Sequence, residues 1–576
     1  MTEKASNLES IRHSLAHLLA AAVLKKYPKT KLGIGPVIEN GFYYDFLFPQ
    51  PTSETDLAFF ETEMRQLITA KLEFKGEAIT PLKAKKVFKD QQFKLDLIKE
   101  FAHDKKPLTL YQTGEIFTDL CRGDHVQNTS EINPDGFKLT HLAGAYWRGS
   151  EKNPMLTRVY GLAFATKQEL DAHLVMLEEA KKRDHRKLGK DLGLFTISDD
   201  VGPGLPMFYP KGTILRRLVE EFIIQLQEKR GYEPIWIPHI TKGTLYETSG
   251  HLKKYDAMYP PIKVPDEADY YLRPMNCPHF MILYKTLPHS YRDLPVRWTA
   301  TATVYRHEKS GELSGLTRVR SLTQDDCHVF ARPDQIETEI NTMLDMIAET
   351  YKAFELNDFW VSISTRDPAD KEKYIGDEKI WDGAETILAS LIKKRGWKYE
   401  VVSGEAAFYG PKLDFKVKDA IGREWQLSTI QLDMNLPERF DLEYTDTDSS
   451  KKRPVVIHRA ILGSTERFLG ILIEHLGGAF PFWLAPEQVR ILPISDKQND
   501  YAESVLKELK SAGIRAVIDS SNNTVGKKIR EAEMQKLPYI AVVGGQEETN
   551  KTINIRERGK GNLGEISVSD FLKKVQ

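Results

Sequence analysis

The chain has little cysteine, no strong excess of one charge and no long apolar run. Its only cysteines are Cys121, Cys277 and Cys327, too few and too scattered for a disulfide framework, which indicates a reducing compartment. The first ten residues are polar and lack the apolar core of a signal peptide, and no stretch approaches the ~20 apolar residues of a membrane span. We therefore expect a cytoplasmic protein with no membrane partner.

Charge is nearly balanced, with 81 Lys and Arg against 82 Asp and Glu. This balance excludes a general basic field, so nucleic-acid binding would need local patches. Hydrophobic residues make up 41% and charged residues 28%, an ordinary globular profile, and 576 residues suffice for three or four domains.

The N-terminal part has the patterning of a mixed α+β domain, which we place at residues 8–175. It opens with a predicted amphipathic helix over 11–27, followed by glycine turns and the aromatic strand Phe42–Phe46. The basic residues of the range 176–192 predict a helical linker, and the alternative is that this helix faces RNA.

The remainder divides where the patterning changes. Hairpins dominate residues 193–485, which favours an antiparallel sheet. Strands and helices alternate over 486–576, which predicts a small α/β domain with a largely parallel sheet. The expected fold is therefore multidomain, with α+β and α/β parts.

Residues 301–330 carry charge at a density unusual for a core hairpin. We expect Arg306 and Glu308 on one face of an extended segment, with Arg318 and Arg320 alternating on the return strand. Arginine forks match phosphate oxygens, and a carboxylate can accept from an exocyclic amine such as that of adenine. The residues alone leave two interpretations open, a nucleotide clamp or a charged hairpin with one wet face.

Further motifs favour the clamp. The stretch His458 to Phe468 runs into an apolar helix and places Arg467 near the helix start. With 212–238, a helix leading to an extended run, the set resembles the three signature motifs of class II aminoacyl-tRNA synthetases. Three phrases resemble threonyl-tRNA synthetases in particular, and the resemblance covers nearly the whole chain. They are Arg273 to His279, Arg318 to Asp326, and His458 to Ser464.

The resemblance implies an N-terminal editing domain, a class II catalytic domain and a C-terminal anticodon-binding domain over the ranges given above. The expected activity is threonine:tRNA ligation with threonine, ATP and tRNA(Thr) as partners, in a homodimer joined through 212–238. Many family members carry a ubiquitin-like domain before the editing domain, whereas the editing-type helix here begins by residue 11. We expect editing to survive that difference. The rival hypotheses are a non-catalytic paralogue and a synthetase for serine or proline.

Cys277, His328 and His458 form a candidate metal site. Their spacing alone is weak support, because no CxxC or HxxxH motif pairs them. The resemblance implies one zinc ion per subunit held by these three residues, with coordination left open for substrate. Such an ion would separate threonine from the nearly isosteric valine, which an apolar pocket does poorly.

For the activation step, the resemblance implies that Arg306 holds the α-phosphate of ATP and Arg467 the γ-phosphate, with Mg²⁺ bridging phosphates. Glu308 would bind the adenine amine. Four further residues are expected to line the amino-acid pocket: Gln324, Asp326, Tyr409 and Gln431. His251 would assist transfer of threonine to tRNA.

Two four-residue pairs occur in the N-terminal region: His13 with His17, and Cys121 with His125, the latter pair preceded by Asp119. They could be structural side chains or ligands of a second metal. The resemblance implies instead a metal-free site, shared with alanine enzymes and including Lys94, that hydrolyses seryl-tRNA. Serine keeps both polar groups of threonine and lacks only a methyl, worth about 1–3 kcal/mol of selectivity, so a second sieve is required.

In the last domain, the resemblance implies that five residues contact anticodon bases, which single-stranded loops expose at their edges. The alternative is an ordinary solvated surface. The five residues are Asn522, Arg530, Lys536, Glu547 and Arg556.

Overall fold

The computed structural model describes residues 3–104 and 106–575, which divide into two compact units, Met1–Glu178 and Glu179–Gln576. None of the helices in the described ranges combines the length and the hydropathy that a membrane span requires. The predicted multidomain organisation of α+β and α/β parts is confirmed, while the boundaries at 175, 192 and 485 stay predictions.

The first unit is built around the helix Glu3–Lys26, which packs against the strand Gly41–Leu47. Residues 14–23 are buried on every side of this helix, so the prediction of an amphipathic helix was wrong. Other helices and strands surround it rather than leaving one face to solvent. The remaining helices of this part are Thr55–Thr69, Pro81–Val87, Gln92–His103 and Lys167–Arg183.

Two antiparallel sheets complete this unit. The larger has the order Lys31–Leu32, Gly41–Leu47, Met155–Ala163, Phe137–Tyr146, with Val37–Ile38 also paired to the second of these. The smaller has the order Phe74–Ala78, Thr109–Thr113, Phe117–Leu120.

The second unit contains an eight-stranded sheet, antiparallel except at its two edge pairs. The predicted antiparallel sheet is therefore confirmed. Its order is Glu233–Pro234, Val296–Tyr305, Ser321–Ala331, Val455–Ala460, Glu424–Asp433, Lys412–Lys418, Phe359–Thr365, Tyr399–Ser403. Short two-stranded sheets pair Phe195–Thr196 with Met207–Phe208, Ile240–Lys242 with Tyr270–Leu272, and Tyr444–Thr445 with Lys451–Lys452.

Helices accompany the large sheet, and most of them contribute apolar residues to one of two buried clusters. They are His185–Asp191, Pro210–Glu228, Gly243–Ser249, His251–Lys254, Cys277–Lys285, Ile336–Ala353, Glu378–Arg395, Leu436–Arg439 and Thr465–His475. The basic segment predicted as one helix is broken at Asp184, whose side chain caps the helix His185–Asp191 by accepting from the amide of Arg186.

The C-terminal part has a five-stranded sheet in the order Ala516–Ile518, Val489–Pro493, Tyr539–Val543, Thr552–Glu557, Gly561–Ser567. The first three strands are parallel, as predicted, but the last two are antiparallel, so the sheet is mixed. Its helices are Asn499–Ser511, Val525–Met534, Gly545–Asn550 and Val568–Val575.

Candidate functional site

Three separate elements of the second unit bring Cys277, His328 and His458 together. Cys277 begins its helix, while His328 and His458 face each other on neighbouring antiparallel strands. One donor atom from each residue lies within 4.8 Å of the others, and all three residues are buried.

The donors fit a metal ion. Among the residues that the structure describes, neither ring nitrogen of His328 has a hydrogen-bond partner, although His328 is 1% exposed and its ring stacks on Phe280. Burial lowers the pKa of His328 well below its usual range, so the ring is a neutral ligand with an available lone pair. Burial also raises the pKa of the Cys277 thiol, so a bound cation would have to displace its proton.

Asp433 is a functional candidate that the sequence analysis missed. Its Oδ2 atom lies 2.9 Å from Nε2 of His458, and its Oδ1 atom accepts from the amides of Asn435 and Leu436. A carboxylate on one ring nitrogen leaves the other available for a ligand and fixes the ring orientation. Only the pairing of the strands reveals this contact.

The predicted amino-acid pocket adjoins these donors. Gln431 is opposite His458 in the sheet register and accepts a hydrogen bond from the Tyr409 hydroxyl. Asp326, two residues before His328, accepts from Nδ2 of Asn276 at 2.9 Å, and burial raises the pKa of this carboxyl to about 6.

Two further side chains complete the description of this region. Gln324 donates from Nε2 to the Gly463 carbonyl at 3.2 Å. Cys327 is buried in the apolar core opposite Arg459 and is outside the donor cluster, as expected of the alternate residue on a strand.

The charged residues of the hairpin do not lie on its strands, which corrects the prediction. The strands end at Tyr305 and resume at Ser321, so the arginines and Glu308 belong to the connecting loop. Arg318 forms ion pairs with Glu308 at 2.8 Å and with Glu312 at 2.7 Å. A loop held by ion pairs can adjust around a ligand more readily than a strand held in a sheet ladder.

Arg306 and Arg467 present two cations to the same region. Arg467 lies in the first turn of the helix capped by Ser464, and its Nε donates to the Thr317 carbonyl at 3.0 Å. Burial lowers the pKa of Arg467, and the positive charges of Arg306 and Arg318 lower it further. Neighbouring cations that repel one another favour a polyanionic ligand, because its charge would relieve the repulsion.

His251 is fully buried near the same site. Its Nδ1 atom lies 2.7 Å from the Ser249 hydroxyl, and Nε2 has no hydrogen-bond partner among the described residues. Burial lowers the pKa of His251 to about 4, helped by His458 and Arg306, so the imidazole is neutral at pH 7.

A second donor cluster lies in the first unit. One donor atom from each of His13, His17, Cys121 and His125 lies within 4.8 Å of the others. The Cys121 sulfur is 3.2 Å from Nε2 of His13 and 3.2 Å from Nε2 of His125. The Ser14 hydroxyl, 3.1 Å from Nδ1 of His125, holds the second nitrogen of that ring.

A buried ion pair adjoins this cluster. The Lys94 ammonium lies 2.6 Å from Oδ1 of Asp119, and both residues are 2% exposed. The Tyr44 hydroxyl donates to Oδ2 of the same carboxylate at 2.5 Å. Tyr44 was missed, since an aromatic strand residue predicts core packing before it predicts a site.

The cluster opens on a cavity of about 400 Å³ that His13, His17, Lys94 and Cys121 line. Burial lowers the pKa values of all three histidines and raises that of Cys121 to about 11. The cavity therefore holds neutral imidazoles and a thiol at pH 7, beside one lysine and one aspartate that pair with each other.

The five predicted anticodon residues lie on different parts of the C-terminal sheet domain. Asn522 and Arg530 are exposed. Lys536 donates to the Gly477 carbonyl, Glu547 accepts from the Gly544 amide at 2.9 Å, and Arg556 lies 3.5 Å from Glu533. The last three side chains thus have contacts within the chain.

Three protein-family models match parts of this chain. Residues 262–476 match the tRNA synthetase class II core domain (G, H, P, S and T), and residues 488–576 match an anticodon binding domain. Residues 108–160 match the threonyl and alanyl tRNA synthetase second additional domain.

Similar proteins extend over most of the sequence. The threonine–tRNA ligase of Parabacteroides distasonis is 49% identical, over 97% of this chain and 86% of that protein. That of Thermosynechococcus vestitus is 46% identical, over 100% of this chain and 96% of that protein. A crystal structure of the RNA binding domain of threonyl-tRNA synthetase from Cryptosporidium parvum aligns with a TM-score of 0.65 and 37% identity, over 68% of this chain and 97% of that one.

Proposed function

The chain belongs to the threonine–tRNA ligase family, and on this premise we propose that it activates threonine with ATP, transfers it to tRNA(Thr) and hydrolyses seryl-tRNA(Thr). One observation carries the charging activity: a buried cysteine and two histidines converge in the same region as the cations Arg306 and Arg467. A regulatory paralogue without chemistry would have no use for this combination, because withdrawing polar and charged groups from water costs stability.

Amino-acid selection is proposed to depend on one zinc ion per subunit, held by Cys277, His328 and His458. When bound there, zinc supplies a Lewis-acid contact for the amino group and side-chain hydroxyl of threonine. The Asp326 carboxylate, oriented by Asn276, offers an acceptor for a polar hydrogen of the substrate. Valine has no hydroxyl to pair with these groups. It is rejected because an apolar isostere leaves the buried polar groups of the site without a partner.

Activation joins a carboxylate oxygen of threonine to the α-phosphorus of ATP and releases pyrophosphate. Negative charge builds on the phosphoryl oxygens, so the chain contributes fixed cations rather than a nucleophile. We assign Arg306 to the α-phosphate and Arg467 to the γ-phosphate. Mg²⁺ bound with ATP would supply further positive charge for the phosphate oxygens. Glu308, held by Arg318, would accept from the adenine amine.

In the transfer step, a ribose hydroxyl at the tRNA 3′ end attacks the acyl carbonyl and AMP leaves. His251 is neutral and has an unpartnered Nε2, so it can help remove the hydroxyl proton directly or through water. The serine hydroxyl 2.7 Å from Nδ1 holds the ring orientation.

Editing is proposed for the cavity of the first unit. Water would attack the ester carbonyl of seryl-tRNA, releasing serine and intact tRNA, with His13, His17 and Lys94 positioning the water and the tRNA end. We propose that this site works without a metal. Its four donors keep a second hypothesis open, and zinc analysis separates the two, since one ion per chain supports the metal-free site and two contradict it.

The remaining proposals concern assembly and location. We propose a homodimer joined through residues 212–238, anticodon contacts by Asn522, Arg530, Lys536, Glu547 and Arg556, and a cytoplasmic location, where tRNA is charged. Sedimentation of a fully active monomer at micromolar concentration would contradict the dimer.

ATP–pyrophosphate exchange with the zinc-loaded protein tests the proposed activity across amino acids. Threonine should support exchange, serine should follow within the ~1–3 kcal/mol of one methyl group, and valine should support little. Equal exchange with threonine and valine would refute the assignment. Exchange with proline is measured in parallel, because it tests the rival hypothesis of a prolyl-tRNA synthetase.

A further inference from the structure

His185 joins three parts of the second unit at one buried position. It begins the helix His185–Asp191 and is 3% exposed. Its backbone amide and Nδ1 lie 2.9 Å and 2.6 Å from Oε1 of Glu474, in the last turn of the helix that carries Arg467. On the other side, the Leu316 amide donates to Nε2 of His185 at 2.9 Å.

These contacts determine which ring nitrogen carries the proton. An amide can only donate, so Nε2 of His185 must be the acceptor, and the neutral ring then carries its proton on Nδ1. That proton points to the Glu474 carboxylate, which Arg423 also contacts. Both ring nitrogens are therefore used, and the ring has one orientation.

Leu316 lies at the tip of a tight turn in the charged loop. The turn is closed by hydrogen bonds from the amides of Thr317 and Arg318 to the Ser314 carbonyl. A side chain at Gly315, where φ is +48°, would place Cβ 2.1 Å from Nε2 of His185, so the turn is seated directly on the imidazole. Leu316 is fully buried, which leaves its amide no water to replace the histidine.

The same turn contacts the proposed phosphate-binding arginine. Thr317, next to Leu316, accepts from Nε of Arg467, and a Cβ added at Gly470 would lie 3.3 Å from both Leu316 and Thr317. The turn is thus held between the imidazole and the helix of Arg467. Loss of the His185 acceptor would leave the Leu316 amide unpaired and release the carbonyl that orients the guanidinium.

From this arrangement, we propose that His185 is a positioning residue for ATP: it holds the Ser314–Arg318 turn against the helix of Arg467 and so sets the orientation of Arg467. The inference rests on the proposed function, in which Arg467 binds the γ-phosphate. It makes the segment that follows Arg183 part of the activation machinery rather than a passive linker.

Steady-state ATP–pyrophosphate exchange by His185→Ala and His185→Gln tests the proposal in the full-length protein. For the alanine variant, we expect the KM for ATP to rise roughly ten- to hundredfold, the cost of one unpaired buried amide, with the KM for threonine nearly unchanged. The glutamine variant should recover much of the loss, because its Oε1 can reach the position of Nε2 and accept from Leu316. Deacylation of seryl-tRNA by the same preparations reports on the first unit and should stay at the wild-type rate.

Leu188→Ala is the matched control, since Leu188 is buried on the same helix and its side chain packs in the apolar core. It should lower the melting temperature without separating the two KM values. The proposal is overturned if His185→Ala keeps a normal KM for ATP, if both KM values rise together, or if Leu188→Ala gives the same pattern. Arg467→Ala is measured alongside. If both the Arg467 and the His185 variants activate threonine normally, the proposed function fails. If Arg467→Ala loses activation and His185→Ala keeps a normal KM for ATP, only this inference is refuted.

Discussion

The Oδ2 atom of Asp433 lies 2.9 Å from Nε2 of His458, and both side chains are buried. The other oxygen of Asp433 accepts from two backbone amides, so the carboxylate is fixed and in turn fixes the imidazole. This relationship places a carboxylate behind one of the three proposed zinc ligands, an arrangement typical of protein metal sites.

Asp433→Asn should weaken zinc binding by about 10–100-fold, the usual cost of losing a residue that orients a ligand. Competition with a chromophoric chelator measures the affinity directly, without reference to catalysis. Asp414→Asn is a suitable control, because Asp414 is a buried carboxylate on the neighbouring strand that contacts Lys412 and Gln426 instead. Equal zinc affinity in the Asp433 variant and the wild type would contradict the role.

Arg467→Ala and Arg306→Ala should each lower the rate of threonine activation by ~10²–10³-fold, the typical loss on removing one preorganised charge donor. The fold should be largely kept, since both side chains face a ligand region. Arg453→Ala, which removes a half-exposed arginine paired with Asp441, should leave pyrophosphate exchange unchanged. A near-normal rate of pyrophosphate exchange in the Arg467 variant would contradict the assignment of Arg467 to the γ-phosphate.

His251→Ala should slow transfer of threonine to tRNA while leaving pyrophosphate exchange intact. Single-turnover transfer from preformed adenylate measures this step alone. Because the folded-state pKa of about 4 is below the ordinary value of about 6.5, the imidazole stays neutral as the pH falls from 8 to 6. Transfer should therefore show no protonation of this group in that range. A loss of transfer rate with a midpoint near pH 6.5 that disappears in His251→Ala would contradict the assignment. Ser249→Ala should slow transfer less than His251→Ala does.

The double variant His13→Ala, His17→Ala should charge threonine normally but accumulate seryl-tRNA. Activation residues lie in the other compact unit, and only the ~1–3 kcal/mol methyl penalty excludes serine once hydrolysis is lost. Deacylation of purified seryl-tRNA is the direct measurement. His103→Ala, whose ring is 90% exposed in the same unit, serves as the control. Wild-type deacylation by the double variant would return these histidines to a structural role.

Removal of zinc by chelation should abolish threonine activation and leave deacylation of seryl-tRNA at its original rate. The expectation follows from placing the ion at Cys277, His328 and His458 and none at the second cluster. Readdition of one equivalent of zinc should restore activation. Deacylation that fails with the chelator and returns only with a second equivalent would establish the N-terminal cluster as a metal site.

Local patterning by itself determined many elements of this protein. The strands Val489–Pro493, Ala516–Ile518 and Tyr539–Val543 lie in the region where alternating strands and helices were predicted, because short apolar runs between turn residues form strands in most contexts. The family was also evident from motif residues, and the comparisons confirm it. These motif residues can be recognised by their type and order along the chain, without knowing which side chains they contact in the fold.

Only the tertiary structure decided where those residues meet. Residues 14–23 of the helix Glu3–Lys26 are buried on every side because neighbouring helices and strands of the same unit pack around them, which the periodicity of the helix does not record. Arg306 and Glu308 lie in a loop because the strand register ends at the Tyr305–Ser321 pair, although the Arg306 amide still donates to the Arg320 carbonyl. The partners Asp433, Tyr44 and His185 come from distant segments, since side-chain contacts across a sheet depend on register and packing, and neither is encoded in the spacing of residues along the chain.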